Sequence, residues 1–185
     1  MLLDIIKQHN WIDIFVAILV LRICYVACGS GLPVEIFKTL GTFFALYLSL
    51  HYYVIFSDSF QGYLPIEVPE KILYFVCFLL LALVSFQVFV FLRMFLHPFM
   101  KMDAVPDVKR WGGFFLGLIR AFLFSSWLLF AFKICPFPYL NSSVPSSFSG
   151  ARLVNLAPNT YTWIWENITS KFMANEKLNS EVFKY

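Results

Sequence analysis

Val108-Lys-Arg-Trp-Gly-Gly-Phe-Phe-Leu-Gly-Leu-Ile-Arg-Ala-Phe122 sets three glycines and Arg120 inside what otherwise reads as membrane-spanning helix. An ionisable side chain in hydrocarbon costs about 2.5–3.5 kcal/mol on insertion scales, so Arg120 must face protein, water or headgroups. Gly113 and Gly117 stand four apart on one helix face, where the missing side chains let another helix backbone approach closely. The alternative use of the glycines is a kinked or re-entrant backbone, tolerated only where it is buried in protein or lines water. Seven residues separate Gly113 from Arg120, about 10 Å along a helix axis, too deep for easy escape. Pairing with Asp13 or Glu35 is the reading we take for Arg120, with snorkelling and a direct role in moving an anionic or amphipathic solute as the alternatives.

The rest of the chain supports a membrane setting. Of 185 residues, 60% are hydrophobic and 14% charged, and the mean hydropathy is +0.74, against about 25% charged for ordinary soluble domains. A crossing helix needs about 20 mainly apolar residues, and four stretches supply them. The formal charge of +3 is small and scattered, unlike the basic stripe of a nucleic-acid binder, so nucleic acid is excluded as a partner. The opening ten residues carry Asp4 and no basic region followed by a small-residue cleavage site, so they do not read as a removable signal peptide. Cys24, Cys28, Cys77 and Cys135 lie in or at the end of apolar runs, without a C-x-x-C or a His at ligand spacing, and read as small packing residues.

The expected architecture is an all-α membrane protein with four transmembrane helices and a C-terminal amphipathic surface helix. The spans fall at about 11–28, 34–56, 72–96 and 111–132. Between the first two, Gly29-Ser-Gly31-Leu-Pro33 predicts a tight hairpin, because glycine permits positive φ and proline cannot continue a helix. Glu35 then sits in the first turn of the second span, where the helix dipole favours a carboxylate. Residues 57–71 read as a polar connection and 97–109 as a charged loop. Residues 136–158, rich in Ser, Pro and Asn, read as an irregular extramembrane connector.

Within 159–185, Tyr161, Ile164, Trp165, Ile168, Phe172 and Met173 form a helical stripe beside Trp163. Trp163 and Trp165 favour the headgroup layer, which lays this helix on the bilayer or against the bundle; packing on a partner is the competing reading. Arg93, Lys101, Lys109 and Arg110 flank the third-to-fourth connection, whereas the second-to-third carries Lys71 against three acids. The positive-inside rule then puts the former in the cytoplasm and both termini outside it.

Two further intramembrane charges are Asp13 and Arg22. They are nine residues apart, which at 100° per residue places them on opposite faces of the first helix, so each must find its partner elsewhere. For Asp13 the preferred reading is a position at the membrane interface, and the alternative is a proton relay. His9, His51 and His97 stand near separate span ends, and neither a phosphate cradle nor a zinc spacing occurs. No catalytic set, metal site or cofactor is expected.

The order of local patterns resembles the colicin V production protein family of bacterial inner-membrane proteins. An Asn10-Trp-Ile-Asp13 opening leads into the first span, a Gly31-x-x-x-Glu35 hairpin joins it to the second, and Arg110-x-x-Gly113-x-x-x-Gly117-x-x-Arg120 opens the last. Ser30 and Val34 stand where the family usually carries arginines, Lys109 replaces a common acid, and Ala121 replaces a glycine. The resemblance implies a four-helix, multi-pass protein of the bacterial inner membrane, linked to colicin V production or export and to envelope function. Two functions remain open. One is a non-enzymatic component that assembles with copies of itself or with other membrane proteins, using the glycine face as its contact surface. The other is a small transporter or channel in which Arg120 lines a polar path.

Overall fold

The computed structural model describes residues 10–63, 68–96, 106–173 and 176–184. Residues 1–9 and 97–105, the latter within the stretch read as a charged loop, lie outside these, and with them His9, His97 and Lys101. The described residues are helical throughout their long elements and contain no strand.

Helix α1, Trp11–Ser30, starts where the Asn10 side chain accepts the Ile12 N–H at 3.3 Å, satisfying one of the orphan donors of a helix start. It ends at Gly31, whose φ of 78° is the one positive value among the described residues. The Gly31 N–H closes on Ala27 O, while its own carbonyl accepts the Glu35 N–H at 3.1 Å and so begins the next helix. The hairpin is therefore a single-residue joint, with Gly29 and Ser30 still helical. Pro33 falls in the first turn of α2, where its missing N–H leaves no helical bond unmade.

Helix α2, Leu32–Tyr63, runs well past the expected end. Its 32 residues span about 48 Å at 1.5 Å each, more than the roughly 30 Å hydrocarbon core. The stretch 57–63, read as connection, is its last two turns: Ser59 folds its hydroxyl back on Ile55 O at 2.8 Å, and no proline intervenes before Pro65. Helix α3 covers Glu70–Leu96. Helix α4, Pro106–Ile134, begins five residues ahead of the expected start and continues unbroken through Gly112, Gly113 and Gly117, which removes the re-entrant reading.

In each of these helices the apolar run is long enough to cross a membrane. Half of the apolar window of α2 and of α4 is buried (50%), against 22% for α1 and α3. The two inner helices are thus α2 and α4; α1 packs along α4, and α3 along α2. Outward-facing Ile18, Leu21 and Tyr25 on α1 and Leu83, Val84 and Phe91 on α3 are exposed in the bare chain. Apolar faces of this extent belong against lipid or protein rather than water.

The segment read as an irregular connector is instead three short helices, α5 Pro138–Ser146, α6 Phe148–Leu153 and α7 Leu156–Ile164. They pack on α1 and α4, burying Val144, Val154 and Ala157. Their periods escaped the sequence because each is only two or three turns long and takes its caps partly from distant residues. Pro138 opens α5, and Ser147 Oγ accepts the Gly150 N–H at 2.9 Å at the start of α6. The chain continues from α7 through a wide turn at Trp165–Thr169 into Ser170–Phe172, and ends in a short turn at Ser180–Phe183. The C-terminal helix lies against the bundle, with Ala157 and Tyr161 at 0% exposure.

Candidate functional site

Arg120 lies beside the hairpin end of the bundle. Its Nη2 stands 3.1 Å from Glu35 Oε2, and Lys38 Nζ stands 2.6 Å from Oε1 of the same carboxylate. Glu35 is fully buried at 0%, whereas Arg120 and Lys38 retain 14% and 17% exposure. Lys38 also donates to Ser30 Oγ at 2.7 Å. Of the two acids weighed for Arg120, the structure selects Glu35. The Arg120–Glu35 contact crosses from α4 to α2 and fixes their register, while Lys38 meets the same carboxylate from within α2, so that loss of Glu35 would strand both cations.

The glycines bring Arg120 to this point. A Cβ on Gly113 would lie 2.8 Å from Ala27 O and 3.3 Å from Gly31 Cα, and one on Gly117 would lie 2.2 Å from Ala27 Cβ. These clashes are with backbone or with atoms fixed to it, so α1 and α4 touch only because both positions lack side chains. The glycine face is used inside the chain, which overturns its assignment as a contact surface for other proteins. Gly31, at the joint, receives the Lys109 side chain.

Asp13 has neither reached the Arg120 site nor been left at the surface. Its carboxylate accepts the Phe148 N–H at 3.2 Å and the Ser149 N–H at 2.6 Å, holding the start of α6. Asn10 adds Nδ2 donations to Ser143 O at 2.8 Å and Ser146 Oγ at 2.9 Å. The Asn10-x-x-Asp13 opening therefore fastens the Ser/Pro segment onto the first helix. Arg22 has a different environment: it is exposed on the outer face of α1 and has no ion pair among the described residues.

A second polar cluster, not foreseen from the sequence, closes the other end of the bundle. His51 is 2% exposed and uses both ring nitrogens, with Nδ1 2.8 Å from the Tyr161 hydroxyl and Nε2 3.0 Å from Glu176 Oε2. Tyr52 donates to Glu176 Oε1 at 3.0 Å. Tyr161 in turn accepts the Asn179 N–H at 3.0 Å, and Asn179 Nδ2 donates to Leu50 O. Burial pushes the Tyr161 phenol up to about 12, because the charged form would lose its hydration. Trp165 stacks on His51 with ring centroids 5.3 Å apart, so it is half-buried rather than free in the headgroup layer, while Trp163 is exposed. Nearby, the Trp127 indole donates to Ser49 Oγ at 2.8 Å in the aromatic core.

Lys38 was legible as the i+3 neighbour of Glu35 on one helix face. The cluster of His51, Tyr161, Glu176 and Asn179 was not, because its members are separated by up to 128 residues. Among the described residues, no three His, Cys, Asp or Glu side chains gather as metal ligands.

Among known proteins, a family model described as Colicin V production protein aligns with residues 12–174. No curated protein and no solved structure matches the chain.

Proposed function

The chain belongs to the colicin V production protein family, and from that premise we propose that it is a non-enzymatic, multi-pass component of the inner membrane that supports toxin production or export and envelope homeostasis by assembling with other membrane proteins or with copies of itself. In this reading the hairpin at Gly31 and the Lys109–Arg110 flank face the cytoplasm, and both termini lie on the periplasmic side, as the charge asymmetry favours.

Arg22 is the observation that carries the assembly reading. It stands eight residues before the end of α1, about 12 Å from the joint, on the face turned away from α4. A guanidinium held on a lipid-facing surface at that depth is costly, and a carboxylate or carbonyl on a neighbouring chain would lower that cost. Arg120 supports the same reading by contrast. Its contact with the fully buried Glu35 carboxylate supports a role as a lock between helices.

The test is Arg22→Leu, made in the full chain and scored in cells for toxin yield and in mild detergent for assembly size. The proposal expects normal membrane abundance with a smaller assembly and reduced toxin yield. Unchanged size and unchanged yield would remove it. In parallel, reconstituted vesicles should show no solute flux that depends on Arg120; such flux would favour the transporter reading instead.

A further inference from the structure

Beside the Arg120–Glu35 contact, α2 and α3 leave a cavity of about 210 Å³, lined by Lys38, Arg120, Gly41, Phe37, Phe86 and Phe89. Two cations, Lys38 and Arg120, line it, and both contact the one buried carboxylate of Glu35. Lys38 has three N–H donors. Two go to Glu35 Oε1 and Ser30 Oγ, and the third has no partner among the described residues. A positive charge in such surroundings is stabilised by an anion placed within reach of both cations.

The depth of the site matches a lipid headgroup. Although Lys38 lies six residues into α2, its side chain doubles back to Ser30 at the hairpin. The ammonium thus reaches toward the membrane surface while its methylenes stay in the apolar layer. A second, larger space of about 560 Å³ lies farther along α2, walled by Leu40, Phe44, Tyr47, Trp163 and Ile168, and it shares Phe89 with the first. Lys38 and Tyr47 are nine residues apart, about 13 Å along the helix, a distance suited to much of one acyl chain. Gly41 stands at the junction, where a Cβ would press on Phe89 at 3.0 Å.

We infer that this groove binds an anionic phospholipid, with its phosphate against Lys38 and Arg120 and an acyl chain along Phe44, Phe89 and Trp163. The shared chemistry is a singly charged phosphate, which a soluble phosphate ester also offers. The long apolar continuation selects the lipid.

Spin-labelled phosphatidylglycerol and phosphatidylcholine, each added to phosphatidylcholine vesicles containing the full chain, test this directly. The expected result is about a fivefold preference of the protein-restricted population for phosphatidylglycerol, the effect of one basic residue near an anionic surface. Lys38→Gln should bring the ratio close to one, Lys38→Arg should restore it, and Arg110→Gln, outside the groove, should leave it in place. Equal association of both lipids with the wild-type chain overturns the proposal, and that comparison needs no variant to fold. A loss with Arg110→Gln as large as with Lys38→Gln also overturns it, because diffuse surface charge would then explain the preference. Displacement of the labelled lipid by millimolar glycerol phosphate would assign the site to a soluble anion and refute the lipid.

Discussion

Arg120 and Arg22 are the same residue type at comparable membrane depth, and the fold treats them in opposite ways. Arg120 sits on an inner helix, reaches a fully buried carboxylate at 3.1 Å and shares it with Lys38. Arg22 sits on an outer helix, on its exposed face, with no ion pair among the described residues. An intramembrane charge therefore carries no single meaning. Where the chain supplies the counter-charge, the arginine belongs to folding; where it does not, the arginine points outward to whatever surrounds the bundle.

The sharpest way to break this contrast is at Glu35. Glu35→Ala strands two cations at the buried end of α2 and α4, and should cost about 3–5 kcal/mol, the range for breaking one side of a buried pair. Loss of folded protein in detergent, followed by helicity on heating, measures it. A thermal midpoint equal to the wild type would mean that Arg120 is no more locked than Arg22.

Gly113→Leu attacks the same lock from the packing side. The new side chain meets Ala27 O and the Gly31 backbone, so about 1–3 kcal/mol or more should be lost through overpacking. The loss should show as separation of α1 from α4 within one chain, read by cross-linking between engineered cysteines on the two helices. Intact intrachain cross-linking with a changed assembly size would instead return the glycine face to intermolecular contact.

The opposite end of the bundle gives a smaller effect. Because the folded Tyr161 phenol holds its proton to about 12, against an ordinary value of about 10, the unfolded segment releases its proton first as pH rises. The stabilisation is complete below about pH 10 and is lost as pH rises to about 12. Tryptophan fluorescence should report release of the Trp165 stack over that window in the wild type, with the transition displaced in Tyr161→Phe. An identical transition in both chains would detach this cluster from the closure of the C-terminal segment.

Much of the architecture was legible because hydrophobic length and helix breakers are local properties. The four apolar runs, the Gly31–Pro33 joint and the close-packing glycines follow from a few adjacent residues each. Arg120 was legible as a residue in need of a carboxylate, and Glu35 was one of only two acids available. Three short helices replaced the irregular reading of 136–158 because much of what holds them comes from far along the chain: Asn10 and Asp13, over 130 residues away, hold α5 and the start of α6, and Ser126 Oγ accepts the Ala157 N–H of α7. The His51 cluster stayed hidden for the same reason: a histidine, a tyrosine, a glutamate and an asparagine without common spacing acquire meaning only when the C-terminal segment folds over α2. The glycine face, expected to contact other proteins, meets Ala27 and Gly31 of the same chain, since sequence alone does not distinguish a helix of the same chain from one of another.

Toxin yield from cells carrying Arg22→Leu at wild-type membrane abundance tests the contrast most directly. Unaltered helicity and thermal midpoint together with a clear fall in yield are the predicted result, because the outer arginine serves contacts beyond the chain. Wild-type yield from a chain that lacks Arg22 would contradict it.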